Sequence, residues 1–158
     1  MLKNLKTYLI FILIPLAVGG LSAFFTRDGM NLYRDILTPP LAPPAILFPI
    51  VWTVLFILMG ISSAMIYLSK NAKKYQINSA LFTYFLSLAV NFFWSIIFFN
   101  GRAFFAAFLW LLLLLFLIIR TIMKYYKIEK TAAFLQIPYA LWVAFAGYLT
   151  LAIWILNR

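Results

Sequence analysis

The sequence predicts an all-α integral membrane protein, a bundle of five transmembrane helices forming one domain over residues 1–158. Two observations carry that prediction. The chain is 66% hydrophobic with 10% charged residues and a mean hydropathy of +1.04, where a soluble domain is nearer half apolar and a quarter charged. Its charges also leave five uncharged stretches, Thr7–Thr26, Ile36–Ser69, Tyr75–Gly101, Ala103–Ile119 and Thr131–Asn157. All but the fourth reach the roughly 20 residues that cross a bilayer. Arg120 extends the fourth by snorkelling from its end.

The first span is expected over about 5–26. Lys3 and Lys6 precede its apolar core as in a signal peptide, but the core is long and no small-x-small cleavage site follows, so the helix is read as retained. Pro15 predicts a kink, and Gly19-Gly20 with Ala23 is read as a helix-packing surface. A loop over 27–43 follows. Asp28-Gly29 signals a turn, and Asn31 to Thr38 has room for a short surface helix. Pro39, Pro40, Pro43 and Pro44 make the end of this loop stiff and extended. Such a strap leading into an apolar helix beside Trp52 has the form of a lid over a pocket.

Pro44 suits a first helical position, so the second span is placed at 44–68, with Gly60 and Ala64 as a small-xxx-small pair. The third, 76–100, closes on the Asn100-Gly101 turn. The fourth, 103–125, is rich in leucine and alanine and reads as scaffold. The fifth, 129–156, contains Pro138, which predicts a kink.

Nine of the thirteen basic residues fall at the N-terminus and the second and fourth connections, against four on the other side. The positive-inside rule then puts the N-terminus in the cytoplasm and the C-terminus and strap outside. Because the basic residues sit at span ends, the net charge of +10 points to membrane lipid as its partner rather than nucleic acid. The chain has no cysteine and no histidine. That excludes disulfides, cysteine- or histidine-ligated zinc, Cys-ligated clusters and histidine acid–base catalysis. Asp28, Asp35 and Glu129 all lie outside the uncharged spans, which counts against a proton- or ion-coupled transporter.

Asn91 is a polar residue deep in the third span and needs a partner there. A helix–helix hydrogen bond and a ligand-cavity contact are both open to it. Trp94 and Ser95 lie one turn on. At ~1.5 Å per residue, Trp52 is roughly 10 Å below the outer start of its span and Asn91 roughly 14 Å below the outer end of its own. Ala146 lies at a similar level, with Trp142 one turn deeper. Trp154 fits an interfacial anchor, and Trp110 is either lipid-facing or packed. A flat, hydrophobic ligand held by stacking and apolar contact matches this set.

The run PPLAPPAILFPIVWTVLFILMG, with NFFWSIIFF in the third span and PYALWVAFAGYL in the fifth, resembles the translocator protein family, also called tryptophan-rich sensory proteins or peripheral-type benzodiazepine receptors. The motifs, their order and the five spans cover nearly the whole chain. The resemblance implies a homodimeric five-helix bundle in a bacterial cell membrane, with a pocket closed by the first loop. It implies binding of porphyrins and of synthetic ligands such as isoquinoline carboxamides. It also implies light-dependent oxidative breakdown of protoporphyrin, with light and oxygen as the further requirements and no built-in cofactor. No general acid or base is needed for that chemistry. By resemblance, Trp52 and Trp142 are the residues tied to breakdown. Tyr33, Pro43, Phe56, Asn91, Trp94, Phe145 and Ala146 complete the ligand set, and no metal site is implied. Leu32 and Leu41 stand where relatives often carry tryptophan. Leu151 replaces the tyrosine of the cholesterol-recognition pattern. A non-catalytic transporter or sensor for porphyrins or other lipophiles is the alternative, and a ligand-free scaffold is a third reading.

Overall fold

The computed structural model describes residues 2–158. Five helices are long and apolar enough to cross a membrane. Helix α1 (Leu2–Thr26) passes through Pro15 and ends in a short 3₁₀ turn, Arg27–Gly29. The surface helix α2 is a single turn, Leu32–Asp35. Then come α3 (Leu47–Leu68), α4 (Lys74–Ser95), α5 (Phe104–Tyr126) and α6 (Lys130–Leu156).

Helix α3 starts at Leu47, not at Pro44 as the sequence had it. The Leu47 and Phe48 amides donate to the Pro44 and Ala45 carbonyls, closing a turn first. Pro49 then occupies the first turn of the helix, where its missing N–H costs nothing. Trp52 consequently lies about 8 Å below the helix start at ~1.5 Å per residue, shallower than counted from Pro44. The third span carries a feature that hydropathy does not show. After Ser95 it widens into a π-turn over Ile96–Asn100, closed by Gly101 N–H to Ile96 C=O at 3.0 Å.

In the bundle, α5 packs along α6 and α4, while α3 packs against α1 and α6. Two polar links fasten the end opposite the strap. Ser62 Oγ donates to the Ala132 carbonyl at 2.7 Å and accepts from Gln136 Nε2 at 3.2 Å, while Ser63 Oγ and Tyr125 Oη share a hydrogen bond of 2.8 Å. All four side chains are buried. In lipid such bonds satisfy groups that have no water to turn to. Trp110 is packed rather than lipid-facing, with its indole N–H donating to the Val90 carbonyl at 2.7 Å. Trp154 packs on Phe105 with ring centroids 4.8 Å apart and carries Arg158 over its face.

Small residues set the α1–α3 contact. A Cβ on Gly60 would come within 2.6 Å of the Phe11 carbonyl oxygen, so the two backbones touch there. A Cβ on Gly19 would collide with the Phe56 ring.

Candidate functional site

The strap-side half of the bundle encloses a cavity of about 330 Å³ between α1, α3, α4 and α6, beneath Tyr33 of α2. That falls at the lower end of the ~300–1,000 Å³ range of small-molecule sites. Its walls are aromatic and apolar, and no charged side chain lines it among the described residues.

Stacked aromatic pairs on two helices dominate the lining. On α3, Trp52 stacks on Phe56 at 5.4 Å between centroids and 28° between planes. On α4, Trp94 stacks on Phe98 at 5.4 Å and 29°. One turn of helix separates the rings in each pair, the spacing at which helical side chains meet. The π-turn follows directly after Trp94 and Ser95, and Phe98 and its neighbour Phe99 both reach the cavity from it. Helix α6 supplies Ala146, Leu149, Thr150 and Ile153, and the small Ala146 side chain leaves room beside the rings.

Several polar groups here are already spent. Thr26, Thr53 and Thr150 each donate to the carbonyl four residues earlier, at 2.7–2.8 Å. The Tyr33 hydroxyl donates to the Pro43 carbonyl at 3.1 Å. Burial pushes the Tyr33 phenol above its ordinary value of 10.0, so it remains a donor at neutral pH. Two cavity-lining donors are buried with no partner among the described residues, Asn91 Nδ2 and Trp94 Nε1. They lie one turn apart on α4. A buried donor left unpaired costs about 1–3 kcal/mol, so a ligand offering an acceptor to this wall gains that amount back.

Of the residues singled out from the sequence, Tyr33, Trp52, Phe56, Asn91, Trp94 and Ala146 line the cavity. Pro43, Trp142 and Phe145 do not. Pro43 acts through its carbonyl, which holds Tyr33. Trp142 lies one layer back, with its ring edge-on to Phe48 at 5.9 Å and tilted against Phe145 at 5.6 Å. Phe48, which does line the cavity, stands between Trp142 and the lumen. Phe145 in turn stacks on the exposed Tyr148. Sequence reasoning missed Phe48, Phe99 and the α1 face around Gly20 and Ala23. The Gly-Gly pair carries a signal for both roles, because small residues serve a cavity wall as well as a packed helix face.

The sequence profile of the TspO/MBR family matches residues 11–155. The chain belongs to the TspO/MBR family. It is 35% identical over 156 residues to the tryptophan-rich protein TspO of Chlorobaculum tepidum, covering 98% of each chain. It is 33% identical over 155 residues to the protein of the same name from Archaeoglobus fulgidus, covering 98% of this chain and 99% of that one. The translocator protein of Bos taurus is 33% identical over 145 residues, 91% of this chain and 86% of the relative. TspO/MBR membership and the five apolar helices together make this an integral membrane protein.

Proposed function

We propose that this TspO/MBR protein binds tetrapyrroles in the strap-side cavity and promotes light-dependent oxidative breakdown of bound protoporphyrin. The observation that carries the reading is the pair of stacked aromatic walls, Trp52–Phe56 and Trp94–Phe98, lining one uncharged cavity. Flat conjugated ligands are held by such walls through offset stacking and apolar contact. The unspent donors of Asn91 and Trp94 suit a carboxylate or carbonyl oxygen on the ligand rim. The same donors suit the carbonyl of isoquinoline carboxamides, which are a second ligand class for this site.

In the proposed chemistry, excited porphyrin and oxygen supply the oxidising power, and Trp52, lining the cavity, gives up an electron to the excited complex. That electron ends on oxygen, which leaves as superoxide. The oxidised tryptophan then takes one electron from the porphyrin, leaving a porphyrin radical cation open to attack by superoxide or a further oxygen molecule. The protein supplies contact, orientation and a dry site, and no proton-transfer residue is required. A homodimer in the cell membrane, with the strap on the outer face, is the proposed setting.

Titrating protoporphyrin against the protein in the dark, following tryptophan quenching, and then illuminating tests both halves. Saturable quenching followed by light-dependent loss of the porphyrin spectrum is expected, and Trp52→Phe should bind but degrade slowly. Vectorial porphyrin movement in dark liposomes, with no photochemical loss above free porphyrin, would overturn the degradative role in favour of transport.

A further inference from the structure

We infer that the ligand of this cavity enters and leaves sideways, through a slot between α1 and α3 that faces the lipid, and not past the proline strap. The inference rests on the ligand-binding reading above and adds the route to it. Six residues line the cavity and are also exposed: Gly20, Ala23 and Met30 on the α1 side, and Ala45, Pro49 and Thr53 leading into and along α3. No lining residue of α4 or α6 is exposed. The opening is therefore on one side only.

The two edges match. Pro49 and Thr53 are four apart and share one face of α3, with Ala45 in the turn just before it, while Gly20 and Ala23 are three apart and share one face of α1. All but Met30 are small or compact. Contact between these helices also fades along their length. At Gly60 the backbones touch, and at Gly19 the Phe56 ring fills the gap. At Gly20, a Cβ would meet nothing within 4 Å. At ~1.5 Å per residue, Gly20 lies about 9 Å below the end of α1, and Thr53 about 9 Å below the start of α3. The slot thus opens into the strap-side half of a hydrocarbon core about 30 Å thick.

The water end is fastened instead. The Asn157 side chain, just past the end of α6, pairs with the strap through both of its atoms. Leu37 N–H donates to its Oδ1 at 2.9 Å, and its Nδ2 donates to the Leu37 carbonyl at 2.9 Å. Nδ2 also donates to the carbonyl of the cavity-lining Ile153 at 2.8 Å. Across the mouth, Asn100 Nδ2 donates to the Phe25 carbonyl at 2.9 Å, tying the end of α1 to the π-turn. A lipophile dissolved in the bilayer meets an opening without a latch, whereas one in water meets a strap that must first be unfastened.

The absence of native cysteine makes Gly20→Cys a clean site for a reversible plug, modified with a bulky aromatic methanethiosulfonate and released with a reductant. Protoporphyrin carried in phosphatidylcholine vesicles is mixed rapidly with reconstituted protein, and quenching gives both rate constants. Because position 20 also lines the cavity, the route is read from the rates rather than the affinity: modification should slow association and dissociation together by about tenfold or more and be undone by the reductant. Asn157→Ala should leave both rates unchanged. Unaltered rates after modification, or a tenfold faster association in Asn157→Ala, would overturn the lipid route. An adduct that speeds dissociation would act by crowding the ligand rather than by closing its path, and would overturn it as well. If the unmodified protein shows no saturable quenching, the ligand reading itself fails, and the route falls with it.

Discussion

The Tyr33 hydroxyl donates to the Pro43 carbonyl at 3.1 Å, and the same ring stands edge-on to Phe48 at 5.5 Å, so the side chain roofing the cavity is pinned from two sides. The polyproline strap supplies the acceptor because its backbone carbonyls are not used in a helix or sheet. Tyr33→Phe keeps the ring contact and removes only the hydrogen bond. With the group half-buried, the loss is about 1 kcal/mol. If roof closure is coupled to binding, affinity for protoporphyrin falls roughly fivefold. A dark quenching titration checks this, and an unchanged affinity would show that the roof does not bear on the ligand.

The same phenol gives a pH dependence with a defined sign. Burial raises its pKa above 10.0, so the protonated form is favoured in the folded protein. Its stabilisation is complete below the unfolded value and is lost as pH rises through the folded one. Binding and strap protection should therefore be flat across the neutral range and weaken only in strongly alkaline solution. Tyr33→Phe should abolish that alkaline loss. Hydrogen exchange of the strap amides measured against pH reads it directly.

Two glycines predict opposite outcomes for the same substitution. Glycine to alanine inside a helix ordinarily gains up to about 1 kcal/mol. At Gly60 the new methyl would meet the Phe11 and Ile12 backbone, which cannot yield as a side-chain tip can. Gly60→Ala should cost about 1–3 kcal/mol by overpacking. Gly20→Ala meets nothing within 4 Å and should be neutral or stabilising. Thermal unfolding in detergent separates the two, and equal effects would contradict the described α1–α3 contact.

The five spans were legible because lipid demands long uncharged runs, and only charge positions were needed to find them. The start of α3 was not. Pro44 is as acceptable in the turn that precedes a helix as in its first position, and only the Leu47 to Pro44 hydrogen bond decides between them. The π-turn at Ile96–Asn100 leaves no composition signal, yet it brings Phe98 and Phe99 together to the cavity. Depth counting put Trp52, Asn91 and Ala146 in the same half of the membrane, and all three line the cavity. It could not say which way a ring points. Trp142 shares that general depth but is screened by Phe48, and the Gly19-Gly20 pair divides its work between packing and lining because neighbours on a helix point about 100° apart.

That screening yields the last prediction, an inequality between two tryptophans. Electron transfer falls off with distance and with intervening atoms, so the ring that lines the cavity should matter more than the ring behind it. Trp52 lines the cavity and stacks on Phe56 at 5.4 Å. Trp142 does not line the cavity and packs behind the lining Phe48, at 5.9 Å between ring centroids. Trp52→Phe, which keeps an aromatic wall, should slow light-driven loss of protoporphyrin by about tenfold or more, equivalent to about 1.4 kcal/mol of barrier, with dark affinity nearly retained. Trp142→Phe should slow it only severalfold and act mainly by loosening Phe48. Initial rates at saturating porphyrin and fixed light flux check the order. A Trp142 variant as slow as the Trp52 variant, at equal occupancy, would mean that the working ligand sits deeper along α6 than the described cavity, in contact with Trp142 itself.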